Sequence, residues 1–173
     1  ASWRNGERAG SAAMAGWDNF AVAQVGAAAA LAGLVFVGIS VNLSRVLAAA
    51  GVPGRAGEAI VVLAALLFAA SAMLVPGQSA GLLGAELATI GLVDWIVVVG
   101  LQYVARRIEL TERPGSFVAR VALGQLATLP FMVAGVGLAL RGEGALYWFA
   151  LGAVGSYAVA FAGAWVLLVE INR

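Results

Sequence analysis

Five stretches of this chain, Phe20–Val41, Ala56–Leu74, Gly81–Val104, Phe117–Leu140 and Leu146–Val169, are apolar over about the 20 residues that a helix needs to cross a hydrocarbon core. Inside lipid every backbone N–H and C=O must find a partner within the protein, so runs of this length and apolarity fold as helices. Composition agrees: 62% of the residues are hydrophobic and 11% charged, against about 45–50% apolar and about 25% charged in a soluble domain. The turns between the stretches are short and marked by Gly and Pro: Gly51-Val52-Pro53-Gly54, Pro76-Gly77-Gln78-Ser79, Arg113-Pro114-Gly115 and Arg141-Gly142-Glu143-Gly144. Such connections make consecutive helices antiparallel neighbours. The expected fold class is therefore an all-α integral membrane protein, with five transmembrane helices in one compact bundle over residues 19–173. A polar, small-residue-rich tail over 1–18 precedes it. Met14 is a candidate natural start, which would make the residues before it an extension. The first stretch is too long for a secretory signal core and lacks a cleavage site, so it is read as a retained helix.

The missing residue types exclude most chemistry. The chain has no Cys and no His, and all ten of its basic residues are Arg. It cannot build the usual zinc site, ligate haem by imidazole or thiolate, or run Ser–His or Cys–His catalysis. Without Lys there is no Schiff base and no Walker A loop. No covalent or metal cofactor is expected. A formal net charge of +1 gives no electrostatic footprint for nucleic acid. Two motif look-alikes fall with these absences. Gly77-Gln78-Ser79-Ala80-Gly81 fits the G-x-S-x-G nucleophile elbow but lies between two hydrophobic helices with no base. Asn42-Leu43-Ser44 fits a glycosylation acceptor at an edge expected to be cytoplasmic.

Arginine placement sets the expected orientation. One side collects Arg45, Arg55, Arg106, Arg107, Arg113, Arg120 and Arg173; the other collects Arg4, Arg8 and Arg141. The first side should be cytoplasmic, which puts the N-terminus outside and the C-terminus inside. Trp17, Tyr147 and Trp148 then form the outer aromatic belt, with Tyr103 and Trp165 at the inner one. The basic segment with Arg106, Arg107, Arg113 and Arg120 reads first as a topology determinant. Its functional reading is a docking site for a partner or for anionic head groups.

Ionisable groups inside a span cost about 2.5–3.5 kcal/mol on insertion scales and mark function or structure. The third stretch holds two, Glu86 at ~7 Å and Asp94 at ~20 Å from its outer boundary. Gln24 at ~6 Å in the first stretch matches Glu86, and Gln125 at ~12 Å from the inner side in the fourth, with Thr128 one turn on, matches Asp94. The expectation is two polar layers, Gln24 with Glu86 and Gln125 and Thr128 with Asp94. Arg120 either snorkels to the surface or reaches toward Asp94. The layers serve either as an ion or proton path or as hydrogen-bonded locks of the bundle. Pro130 should kink the fourth helix.

Gly152, Ser156, Ala160 and Ala164 form a small-xxx-small stripe on the fifth stretch, and the first carries Gly26 with Ala30 and Ala29 with Gly33. Faces of this kind let helices approach closely in lipid. A homo-oligomer or a host membrane complex is the expected partner, besides the bilayer itself.

The run Gly26-Ala27-Ala28-Ala29-Ala30-Leu31-Ala32-Gly33-Leu34-Val35-Phe36-Val37, followed by Ser40-Val41-Asn42-Leu43-Ser44-Arg45, with Val75-Pro76-Gly77-Gln78 further on, resembles small uncharacterised bacterial multi-spanning membrane proteins over the first half of the chain. The resemblance implies a bacterial plasma (inner) membrane and brings no assigned catalytic or binding residues. The leading functional reading is a non-enzymatic, self-associating or accessory component of a membrane assembly. The alternative is a homo-oligomeric ion or proton channel using Glu86 and Asp94, and an intramembrane enzyme ranks third.

Overall fold

The computed structural model describes the backbone over residues 2–48, 51–108 and 114–171, and side chains over 16–48, 51–107 and 116–166. Among these residues six α-helices follow one another: α1 (Ser2–Val41), α2 (Leu43–Ala48), α3 (Val52–Met73), α4 (Ala80–Ile108), α5 (Pro114–Arg141) and α6 (Leu146–Ile171), with a 3₁₀ turn at Glu143–Ala145 before the last. No strand occurs among the described residues. Among the described residues five helices are long and apolar enough to cross a membrane, over Gly16–Val41, Val52–Met73, Ala80–Arg107, Ser116–Arg141 and Glu143–Val166. The polar segment expected as a tail therefore runs into α1, and α2 is a short connector whose Val46 packs with Val52 and Ala56 of α3.

The breaks occur where the sequence places its turn formers. Gly51 takes a left-handed φ of 78° and starts α3, whose first turn accommodates Pro53. Ser79 caps α4 by accepting the Leu82 N–H at 3.2 Å. Its hydroxyl, part of the nucleophile-elbow look-alike, thus serves a helix end. Gly142, with φ 84°, turns the chain between α5 and α6.

The helices pack in antiparallel succession. α3, α4, α5 and α6 close a four-membered ring in which α3 meets both α4 and α6, and α5 meets both as well; α1 lies outside the ring, mainly against α3. Only 17% of the spanning window of α1 is buried, against 50% for α3, which makes α3 the central helix and α1 the peripheral one. Two apolar clusters fill the ring. One surrounds Phe131 and Phe149, whose rings lie 5.6 Å apart, with Leu66, Leu87 and Ala153. The other, nearer the ends where α3 and α5 begin, contains Val62, Val98, Ala127 and Val159.

The α4–α5 and α5–α6 contacts are the tightest. A Cβ on Gly135 would strike the backbone of Gly84 and Ala88. One on Gly155 would lie 2.5 Å from the Leu126 carbonyl oxygen. That carbonyl is the one deprived of its helical donor by Pro130, four residues on in α5. Glycine in α6 lets the neighbouring backbone close over the exposed dipole, as transmembrane helices containing proline require.

Candidate functional site

The inward stripe of α4 reads Gly84, Leu87, Gly91, Asp94, Val98, Gln102 and Ala105, all buried and spaced three or four residues apart. Gly91 faces Phe131 and Met132 of α5, and Val98 faces Gly124, so Asp94 falls at the level of Thr128. Asp94 is 3% exposed, and neither carboxylate oxygen has a hydrogen-bond partner. The depth match of Asp94 with Thr128 thus holds in register, but no hydrogen bond joins them. The Thr128 hydroxyl donates to Gly124 O at 3.0 Å on its own helix. Gln125 turns to another side, where its Oε1 accepts the Trp95 indole N–H at 2.8 Å. A carboxyl in this position offers two strong acceptors to any donor or cation that reaches it.

A buried ion pair inside the spans involves an acid absent from the expected layers. Glu58 of α3, 4% exposed, accepts the Arg120 Nε–H at 3.0 and 3.2 Å on its two oxygens and the Nη2–H at 2.6 Å. The side chains are 9% and 5% exposed for Arg120 and Glu58. Arg120 therefore neither snorkels nor reaches Asp94, and it does not belong to the exposed basic segment; it is an α5 residue paired inside the ring. Its backbone carbonyl accepts the Gln102 side-chain amide at 3.4 Å. A signal was present in the sequence: Glu58 is the third residue of the second apolar stretch and Arg120 the fourth of the fourth, both entering from the same end.

The expected Gln24–Glu86 layer is also rearranged. Gln24 and Glu86 do not meet, because α1 makes no contact with α4 among the described residues. Instead the Tyr157 hydroxyl of α6 donates to Gln24 Oε1 at 2.6 Å, and the Gln78 amide donates to Glu86 Oε2 at 2.9 Å. Glu86 lines a shallow groove between α3 and α4 with Phe68, Ser71, Val75 and Thr89. It is on a different face of α4 from Asp94, and the Val62, Val98, Ala127, Val159 cluster lies on the other side of Asp94. Among the described residues no hydrogen-bonded track joins the two acids.

The α6 stripe faces inward. Ser156 and Ala160 are 0% and 2% exposed, and the Ser156 hydroxyl donates to Gly152 O at 2.9 Å. A Cβ on Gly152 would meet the Phe131 ring at 3.1 Å. Within the stripe Gly152 packs against Phe131 of α5 and Ala160 against α3 and α1, so Gly152, Ser156 and Ala160 are covered inside the chain, with Ala164 partly covered. Small residues cluster where packing is closest, and here that is within the ring. Of the basic segment, Arg106 stacks over Phe117, 4.8 Å from the ring centroid, and Arg107 over Tyr103 at 4.9 Å. Arg113 lies outside the described residues, as do the side chains of Arg4, Arg8, Met14 and Arg173.

Among the described residues no three Asp or Glu side chains converge in a way that could hold a metal ion. Comparison of the chain with protein-family models, with curated proteins and with solved structures found no match.

Proposed function

We propose that this chain is a non-enzymatic, self-associating component of a membrane assembly in a bacterial inner membrane, with its N-terminus outside and its C-terminus inside. The observation that carries this reading is the outer face of α1. Ala21, Ala28 and Val35 hold α1 to the ring. On the opposite side Gly26, Ala30, Gly33 and Val37 are exposed, and a Cβ on Gly26 or Gly33 would meet nothing within 4 Å. At about 100° per residue these four positions fall within about 60° of one another and about 180° from the packed side. A face of small residues is self-complementary across a two-fold axis along the membrane normal, so the partner we assign is α1 of a second copy. Gly33→Leu should shift the detergent-solubilised mass to the monomer without loss of helicity. An unchanged mass, or a monomeric parent protein, overturns the reading.

A second reading, ion or proton handling, rests on Asp94, the buried carboxyl without a donor. Groups retained at an energetic cost are often functional. Proteoliposome flux that falls in Asp94→Asn would support it; flux at the protein-free background would eliminate it.

A further inference from the structure

Asp94 is the middle residue of the 29-residue α4 and is 3% exposed. The inward stripe is apolar on both sides of it. One turn toward the start of α4, Gly91 faces Phe131 and Met132; one turn the other way, Val98 packs with Val62, Ala127 and Val159. In such surroundings a carboxylate keeps its charge only where a cation or several N–H or O–H donors replace the lost water. Neither of its oxygens has a hydrogen-bond partner.

No cation stands at this level among the described residues. α3 and α5 are the helices packed against α4. The ionisable residues of α3 are Arg55 and Glu58, and those of α5 are Arg120 and Arg141. Glu58 and Arg120 pair with each other, and the Arg120 carbonyl meets Gln102, which is ~12 Å along α4 from Asp94. Arg55 lies a further turn toward the start of α3, and Arg141 ends α5, ~20 Å beyond Thr128. On α4 itself Glu86 is ~12 Å away and bonded to Gln78, and Arg106 and Arg107 are ~18 Å or more away, over Phe117 and Tyr103. Tyr157 of α6 is turned to Gln24.

The hydroxyl that register brings to the level of Asp94 is that of Thr128, and it donates its single proton to Gly124 O at 3.0 Å. Toward Asp94 it has only lone pairs to offer, which accept the O–H of a carboxylic acid and repel a carboxylate. A metal cation is served no better. Hard cations take about six to eight oxygens, whereas this level supplies the two of the carboxyl and the one of the hydroxyl. A proton needs a single oxygen and no added volume.

We infer that Asp94 binds a proton and not a metal ion. In the folded protein at neutral pH the carboxyl is a neutral acid, its proton taken from water onto one of its two oxygens. This assignment deepens the ion- or proton-handling reading of Asp94 and rests on it for the use of the site: the cargo is the proton.

The chain contains two aspartates, Asp18 and Asp94, and Asp18 is exposed. Carbon-13 labelling of aspartate therefore isolates two carboxyls in the infrared spectrum of the full chain in liposomes, without any substitution. At neutral pH one should appear in the carboxylic-acid C=O band and one in the carboxylate bands. Asp94→Asn should lose the acid band and keep the other, and replacing potassium by sodium or calcium should change neither. Two carboxylates at neutral pH, an acid band that survives in Asp94→Asn, or its loss on adding sodium or calcium overturns the proposal. Flux in proteoliposomes separates the bound proton from its transport. Proton flux that falls to the protein-free background in Asp94→Asn supports both, whereas sodium flux that depends on Asp94 overturns the proton assignment. Background flux from a parent protein that keeps the acid band eliminates the ion-handling reading and upholds the bound proton.

Discussion

Truncating Glu58 to Ala should be among the most damaging single changes in this protein, and the reason is specific to its partner. Three N–H···O contacts between 2.6 and 3.2 Å join the pair, and its two side chains are 9% and 5% exposed. Removing the carboxylate leaves a guanidinium buried with Nη1, already unpartnered, joined by Nε and Nη2. Breaking a buried pair from one side costs about 3–5 kcal/mol, most of it the uncompensated charge and not the lost attraction. Glu58→Leu combined with Arg120→Met removes both charges and refills the space, and such replacements are commonly neutral or stabilising by about 1–4 kcal/mol. The expected pattern is thus a large loss in Glu58→Ala and near-parental stability in the double variant, a coupling of several kcal/mol. Reversible unfolding in mixed detergent micelles, followed by circular dichroism, measures all the variants on one scale. A loss below about 1 kcal/mol in Glu58→Ala is the magnitude of an exposed pair and would refute the burial argument. A double variant as unstable as the sum of its parts would refute the pairing.

Asp94→Ala should behave in the opposite way. It removes two buried acceptors that have no donors, so stability should stay within about 1 kcal/mol of the parent or rise; a loss above about 2 kcal/mol in the same titration would reveal a bonded carboxyl. Gly155→Ala places a Cβ 2.5 Å from the Leu126 oxygen and should cost about 1–3 kcal/mol by overpacking, whereas Gly26→Ala meets nothing within 4 Å and should be neutral or stabilising by up to about 1 kcal/mol. Equal effects at the two glycines would contradict the helix assignments. Ala160→Leu, at a position 2% exposed, should lower the melting temperature without dissociating an oligomer, since that position already packs against Val35 of α1 and Ala59 and Leu63 of α3; a changed mass with unaltered melting would place the α6 stripe at an interface.

The helical class, the number of spans and the turn positions were legible in the sequence because each depends on local chemistry. Apolar length decides a span, Gly51 and Gly142 supply the positive φ, and Ser79 caps the helix it precedes. The polar residues were legible as individuals but not as partners. Depth placed Asp94 beside Thr128, yet the Thr128 hydroxyl is bonded within its own helix. Depth also matched Gln24 with Glu86, which belong to helices that never touch. Glu58 and Arg120 stood at matching depths as well, but each lies near a span end, where a charge normally means topology and not pairing.

What the sequence determined by itself is therefore a set of apolar helices, their order and the residues at which they stop, because backbone hydrogen bonding and turn geometry act over a few neighbours. Only the tertiary structure decided which faces of those helices meet. It put α1 outside the ring, turned the α6 stripe inward, joined Glu58 to Arg120 and left Asp94 without a donor. The physical reason is that in a chain this rich in Ala and Gly many helix faces are smooth enough to pack, so local pattern does not rank them. The choice rests on close backbone approach at residues such as Gly135 and Gly155, which exists only once all four helices are in place.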